Sequence, residues 1–62
     1  MNLKEFRVDN KLSMVEFARI IGVHLNTYVL WERGVGNPGA EGQIKLDTAI
    51  ERIKKDKELN RG

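Results

Sequence analysis

Apolar residues recur every three or four positions along most of the chain, a spacing typical of helices that bury one face. No stretch shows the alternation of apolar and polar residues that would predict a β-strand. The pattern separates into four segments, which predict helices over about residues 3–9, 14–21, 25–33 and 40–58. We therefore expect an all-α protein of four helices.

Two of the predicted helix starts have capping residues. Asn2 is followed by Glu5, and Ser13 by Glu16, as in the capping box. In that motif a side-chain oxygen accepts a hydrogen bond from a free backbone amide, and the glutamate reaches back to the capping residue. We expect the first two helices to begin directly after Asn2 and Ser13.

The second and third helices are predicted to follow each other through a tight turn at 22–24, Gly-Val-His. Gly22 supplies the left-handed residue that ends a helix, and Gly34 ends the third helix in the same way. The Gly- and Pro-containing stretch 35–39 predicts a surface loop. Two such helices, packed on a first helix and closed by a later one, form a frame that presents a helix to the major groove of DNA.

The same spacing predicts the core and the polar surface. Residues expected to face inward are Leu3, Phe6, Phe17, Ala18, Ile21, Tyr28, Trp31, Ile44, Leu46, Ala49, Ile50 and Ile53. On the last helix, Glu41 with Lys45 and Glu51 with Lys55 are four residues apart, as in helical ion pairs. Beyond about Lys54 the chain becomes polar, and we expect the helix to fray.

Composition excludes several classes of function. A chain of 62 residues, predicted to be one domain over residues 1–62, has little room for a catalytic cleft. With no cysteine, one histidine and no candidate nucleophile or phosphate-cradling loop, we expect no metal, no cofactor and no enzyme activity. The absence of a long apolar run or signal-peptide core predicts a cytoplasmic protein without a membrane partner. A net charge of +2 does not by itself indicate nucleic acid.

The residues of the predicted bihelical unit, about 13–34, resemble a known family. The stretch 12–18, Leu-Ser-Met-Val-Glu-Phe-Ala, continues through Ile21-Gly22-Val23 to Thr27-Tyr28, Trp31-Glu32, Gly34 and Pro38. This sequence closely resembles the phage repressor and Cro helix-turn-helix family, also called the XRE family, over about residues 3–53. The resemblance implies a compact lambda-repressor-like fold and sequence-specific binding of double-stranded operator DNA, usually by a homodimer.

The resemblance also implies roles for particular residues. An arginine of the first helix usually pairs with a glutamate near the end of the recognition helix, and Arg7 and Glu32 occupy those positions. If they form a buried structural pair, loss of either should destabilise the fold by about 3 kcal/mol. The implied DNA-binding residues are Leu25, Asn26 and Leu30 at bases, with Ser13, Met14, His24, Thr27 and Arg33 at phosphates.

The chemistry of the predicted base contacts leaves two interpretations open. Asn26 suits adenine N6 and N7, whereas Leu25 and Leu30 can touch only a thymine methyl group. Related proteins usually have polar residues at these leucines and at Met14. One interpretation is therefore a transcriptional regulator of the phage Cro or repressor type, with helix 25–33 in the major groove. The alternative is a protein-binding modulator, an antirepressor or co-repressor, whose apolar surface binds another phage regulator.

Overall fold

The computed structural model describes residues 2–59, which form four helices: α1 (Leu3–Asp9), α2 (Met14–Ile21), α3 (Leu25–Arg33) and α4 (Ala40–Leu59). No strand occurs within residues 2–59, so the predicted all-α class is confirmed. Met1 and residues 60–62, which the predicted domain includes, lie outside the described residues. None of the four helices is both long and apolar enough to cross a bilayer.

The predicted capping box forms completely at α2 and by half at α1, where the Glu5 side chain makes no return bond to Asn2. The Asn2 side chain accepts a hydrogen bond from Glu5 N at 3.1 Å. At α2 the capping box is complete, because Ser13 Oγ accepts from Glu16 N at 3.0 Å and Glu16 Oε1 accepts from Ser13 N at 2.9 Å. These bonds satisfy amides that have no acceptor within their own helix.

The ends of the first three helices all use a left-handed residue. Gly22 and Gly34 have φ of 89° and 75°, as predicted. At the end of α1 the left-handed residue is Lys11, with φ of 56°. The amides of Lys11 and Leu12 donate to the carbonyls of Val8 and Arg7, both at 3.0 Å, which is the Schellman pattern. A lysine in this conformation is strained by roughly 1 kcal/mol, and the sequence pattern did not indicate it.

The core lies where α2, α3 and α4 meet. Its buried residues are Phe17, Ala18, Ile21, Tyr28, Leu46, Ala49 and Ile50. An aromatic series connects the first three helices, since the ring of Phe6 lies 5.7 Å from that of Phe17, which lies 5.3 Å from that of Tyr28. Leu3, Phe6 and Ile53 pack against this cluster while remaining partly exposed.

One residue predicted to be in the core lies on the surface of α4, and another packs against the core at its edge. Ile44 is 66% exposed, because it precedes Leu46 by two residues and therefore lies about 160° away around α4. Trp31 is half-buried at the edge of the core, beside the start of α4. A Cβ atom placed on Gly42 would lie 3.2 Å from the Trp31 ring and 3.0 Å from Pro38 Cβ. Glycine at this position therefore lets the tryptophan approach the backbone of α4.

Helix α4 has the predicted bounds to within one residue but differs from its prediction in surface pairing. It runs to Leu59, so the segment after Lys54, where the polar sequence predicts fraying, is helical, and its residues are mostly Lys, Glu and Leu, which favour helix. Within residues 2–59 neither predicted pair, 41 with 45 or 51 with 55, approaches within 4.0 Å. Exposed ion pairs gain little over hydration, so these side chains stay apart.

Candidate nucleic-acid interface

A hydrogen-bonded network fixes α3 against α1. Arg7 Nε donates to Glu32 Oε2 at 2.9 Å, and Arg7 Nη2 donates to Glu32 Oε1 at 3.4 Å. Tyr28 Oη donates to Glu32 Oε2 at 2.6 Å, so the carboxylate accepts three hydrogen bonds. Arg7 Nη1 also donates to the backbone carbonyl of Leu12 at 2.9 Å. One guanidinium thus connects α1, α3 and the segment that leads into α2.

This network lies largely out of water. The side chains of Arg7 and Glu32 are 13% and 7% exposed. Burial by itself would raise the pKa of Glu32, but the hydrogen bonds from Arg7 and Tyr28 and the charge of Arg7 outweigh it and hold that pKa below its usual range. Burial and the hydrogen bond to Glu32 raise the pKa of Tyr28, so its hydroxyl stays protonated as a donor. The arrangement is a charged structural pair with a neutral third member.

Sequence reasoning placed Tyr28 in the core but missed its part in this network. The signal was its position four residues before Glu32, which puts both side chains on one face of α3. Nothing in the sequence indicates that the Leu12 carbonyl takes part, because every residue has a backbone carbonyl whatever its type. Its position depends on the left-handed turn at Lys11.

The outward surface of α3 carries the predicted base-contacting residues. Leu25 is 37% exposed and Leu30 is 44% exposed. Asn26 is exposed, and Val29 between them is half-buried. Around the helix these four residues span about 140°, on the side away from Trp31. The structure thus brings Leu25, Asn26 and Leu30 onto one accessible surface.

The predicted phosphate contacts are divided among three places. Arg33 is exposed in the last turn of α3, and His24 is exposed at its start, where Thr27 is half-buried. Ser13 is exposed at the start of α2, whereas the Met14 side chain packs against the core. The Met14 side chain is therefore only partly accessible for such a contact.

The starts of α2 and α3 differ as anion sites. At α2 the hydrogen bond from the Ser13 backbone amide lowers the pKa of Glu16, which keeps a negative charge beside the start of the helix. The capping hydrogen bonds use the backbone amides of Ser13 and Glu16 and do not involve those of Met14 and Val15. At α3 the His24 side chain makes no capping hydrogen bond. The first amides of α3 are therefore the more open of the two sets.

These features define a helix-turn-helix protein, in which α2 and α3 form the bihelical unit and α1 and α4 support it. Comparison with known families agrees, since a family model described as helix-turn-helix matches residues 3–41. The chain belongs to this XRE-type helix-turn-helix family of DNA-binding regulators, which is not a family of enzymes. Neither the comparison with curated proteins nor that with solved structures found a match.

Proposed function

We propose that this protein is a transcriptional regulator of the phage Cro or repressor type that binds operator DNA with α3 in the major groove. The observation that carries the proposal is the accessible surface of α3, where Leu25, Asn26 and Leu30 share one side. A recognition helix must expose such a surface while its other side is held rigidly. Here Tyr28 and Glu32 hold that other side through the core and through Arg7.

Contacts with phosphates supply position and affinity in this proposal. The open amides at the start of α3 and His24 beside them can contact phosphates on one edge of the groove. Arg33, at the far end of α3, can contact phosphates on the other edge. Lys11 and Ser13 add contacts before α2, where Glu16 weakens them by repulsion. Phosphates therefore contact mainly the two ends of α3.

The proposed active form is a homodimer on a two-fold symmetric operator. A single recognition helix of nine residues reaches only a few base pairs. Two copies on half-sites one helical turn apart double the contacts and match the symmetry of a palindrome. Measuring the mass of the protein with and without duplex, by sedimentation, tests this part of the proposal.

Fluorescence anisotropy on duplexes from the regulatory region beside its own gene tests DNA binding directly. We expect the protein to prefer one duplex. A plot of log affinity against log salt concentration should have a slope of about −0.9 for each phosphate contact. The Arg33→Gln variant should reduce that slope by about 1. The matched variant Arg52→Gln, an exposed arginine on α4, should leave the slope unchanged. Absence of any sequence preference at every salt concentration would contradict the proposal.

A second candidate function is a protein-binding modulator, an antirepressor or co-repressor that acts on another phage regulator. The observation that favours it is the exposure of four apolar side chains on the bihelical unit: Val15, Ile20, Leu25 and Leu30. Sedimentation of a mixture with the regulator encoded beside its gene tests it. Binding that is lost in a folded variant with Leu25→Asp and Leu30→Asp supports this function, and no complex with that regulator argues against it.

A further inference from the structure

The first two turns of α3 present a surface, here called the reading patch, made of Leu25, Asn26, Val29 and Leu30. Residues four apart on a helix are neighbours, so Leu25 adjoins Val29 and Asn26 adjoins Leu30. At about 100° per residue, Asn26 lies between Val29 and Leu30 around the helix. The reading patch is therefore one amide with branched apolar side chains on both sides.

The reading patch has little capacity to form hydrogen bonds with bases. Asn26 supplies the only polar side chain of the patch, and the amide of an asparagine can form hydrogen bonds with N6 and N7 of adenine. Guanine is usually read by Arg or Lys and cytosine by Asp or Glu, and the patch contains none of these. Arg33 is seven residues beyond Asn26, about 10 Å further along the helix axis.

The apolar members of the patch match one feature of the major groove. The C5-methyl group of thymine is the large apolar group that a base pair exposes there, and a G·C pair has no methyl group in the groove. Leu30 is 44% exposed and Leu25 is 37% exposed, so part of each side chain is free to pack against such a methyl group.

We propose that the reading patch recognises A·T base pairs through thymine methyl groups. Asn26 binds one adenine, Leu30 packs on a thymine methyl on one side, and Leu25 with Val29 packs on a methyl on the other. This inference depends on the proposed DNA-binding function and names its ligand class, a half-site whose contacted base pairs are A·T.

The arrangement fits DNA better than an apolar protein surface. Asn26 lies in the middle of the patch, and an amide buried without partners is unfavourable, whereas adenine supplies both partners. The other exposed apolar residues of the bihelical unit, Val15 and Ile20, lie about 140° apart around α2. They therefore do not extend the patch into one continuous apolar face.

The test begins with selection of preferred sites by the full chain from a random duplex library. Each thymine of the selected half-site is then replaced by deoxyuridine, which lacks the methyl group and keeps the base pair. We expect affinity to fall about fourfold for each contacted methyl group, because this factor corresponds to the free energy of burying one such group. Replacement at thymines outside the half-sites is the control and should change nothing.

Protein variants assign the methyl contact to a side chain. In Leu30→Ala, replacement of one thymine by deoxyuridine should no longer weaken binding. Ile44→Ala, at 66% exposure on α4, is the matched control and should retain the full fourfold effect. Thermal melts verify that both variants fold, as expected for exposed positions.

The outcomes separate this inference from the function it depends on. A strongly selected site with G·C pairs at the contacted positions, or one unaffected by deoxyuridine, overturns methyl recognition and leaves DNA binding intact. Persistence of every deoxyuridine effect in Leu30→Ala overturns the role of Leu30. Failure to select any sequence overturns the DNA-binding proposal and the inference together.

Discussion

Replacing Glu32 by glutamine should remove most of the stability of this protein. The carboxylate is 7% exposed and accepts three hydrogen bonds, two from Arg7 and one from Tyr28. The Glu32→Gln change keeps the shape of the side chain but leaves the guanidinium of Arg7, 13% exposed, without a counter-charge. Breaking a buried pair on one side destabilises a protein by about 3–5 kcal/mol. Because Arg7 keeps its bond to the Leu12 carbonyl, we expect the lower value, about 3 kcal/mol.

The double-mutant cycle with Arg7→Met distinguishes a pair from two independent residues. Arg7→Met leaves a buried carboxylate with Tyr28 as its remaining donor, and should also destabilise the fold by about 3 kcal/mol. The double variant leaves no uncompensated charge, so its loss should be smaller than the sum by about 2 kcal/mol.

Urea denaturation followed by circular dichroism at neutral pH measures all four proteins of the cycle. A core of this size supplies only about 3–5 kcal/mol, so the single variants should be near the limit of folding. Work at about 15 °C, near the usual maximum of stability, with sucrose in every sample keeps them measurable. Losses below about 0.5 kcal/mol for both single variants, as for surface pairs, would refute the reasoning. Strict additivity in the double variant would refute it equally.

Three further predictions follow from the same structure. Since the pKa of Glu32 is lowered in the fold, its ionised carboxylate contributes to stability above the ordinary carboxyl pKa, and this contribution disappears as pH falls below about 4. Thermal melts at a series of pH values should show the loss, and the Glu32→Gln variant should not. Lys11→Gly should raise the unfolding free energy by about 0.5–1 kcal/mol by relieving a left-handed lysine, with Lys11→Ala as the control that gives no gain. Gly42→Ala should lower the melting temperature despite a helix preference of about 1 kcal/mol, because its Cβ would crowd Trp31 and Pro38; a higher melting temperature would contradict that packing.

Much of the architecture could be predicted because it depends on local chemistry. The capping residues Asn2 and Ser13 and the glycines after α2 and α3 determine where helices start and stop, and each acts through atoms a few residues away. The way in which α1 ends was harder to predict, because Lys11 adopts a left-handed conformation that a residue with a side chain does not favour.

Errors arose where a face had to be assigned without knowledge of its neighbour. Ile44 was assigned to the core because it is apolar, yet α4 presents the face of Leu46 and Ile50 to α2. Trp31 does pack against the core, but it is less buried than Tyr28 because it lies at the edge, where Gly42 leaves space. An apolar residue lies in the core only if a partner helix covers it, and helix periodicity does not show which side is covered.

For the candidate interface, the order of residues along the chain is enough to show what α3 offers: an amide at Asn26 between leucines, an arginine at its end, and a weakly polar surface. It also indicated the pairing of Arg7 with Glu32 through the resemblance. The packing of the helices was needed to show that Arg7 and Tyr28 share the Glu32 carboxylate, that Leu12 supplies a carbonyl, and that Met14 packs against the core. Burial and hydrogen-bond partners depend on distances between helices, whereas the order of residues along a helix fixes only the side on which each one lies.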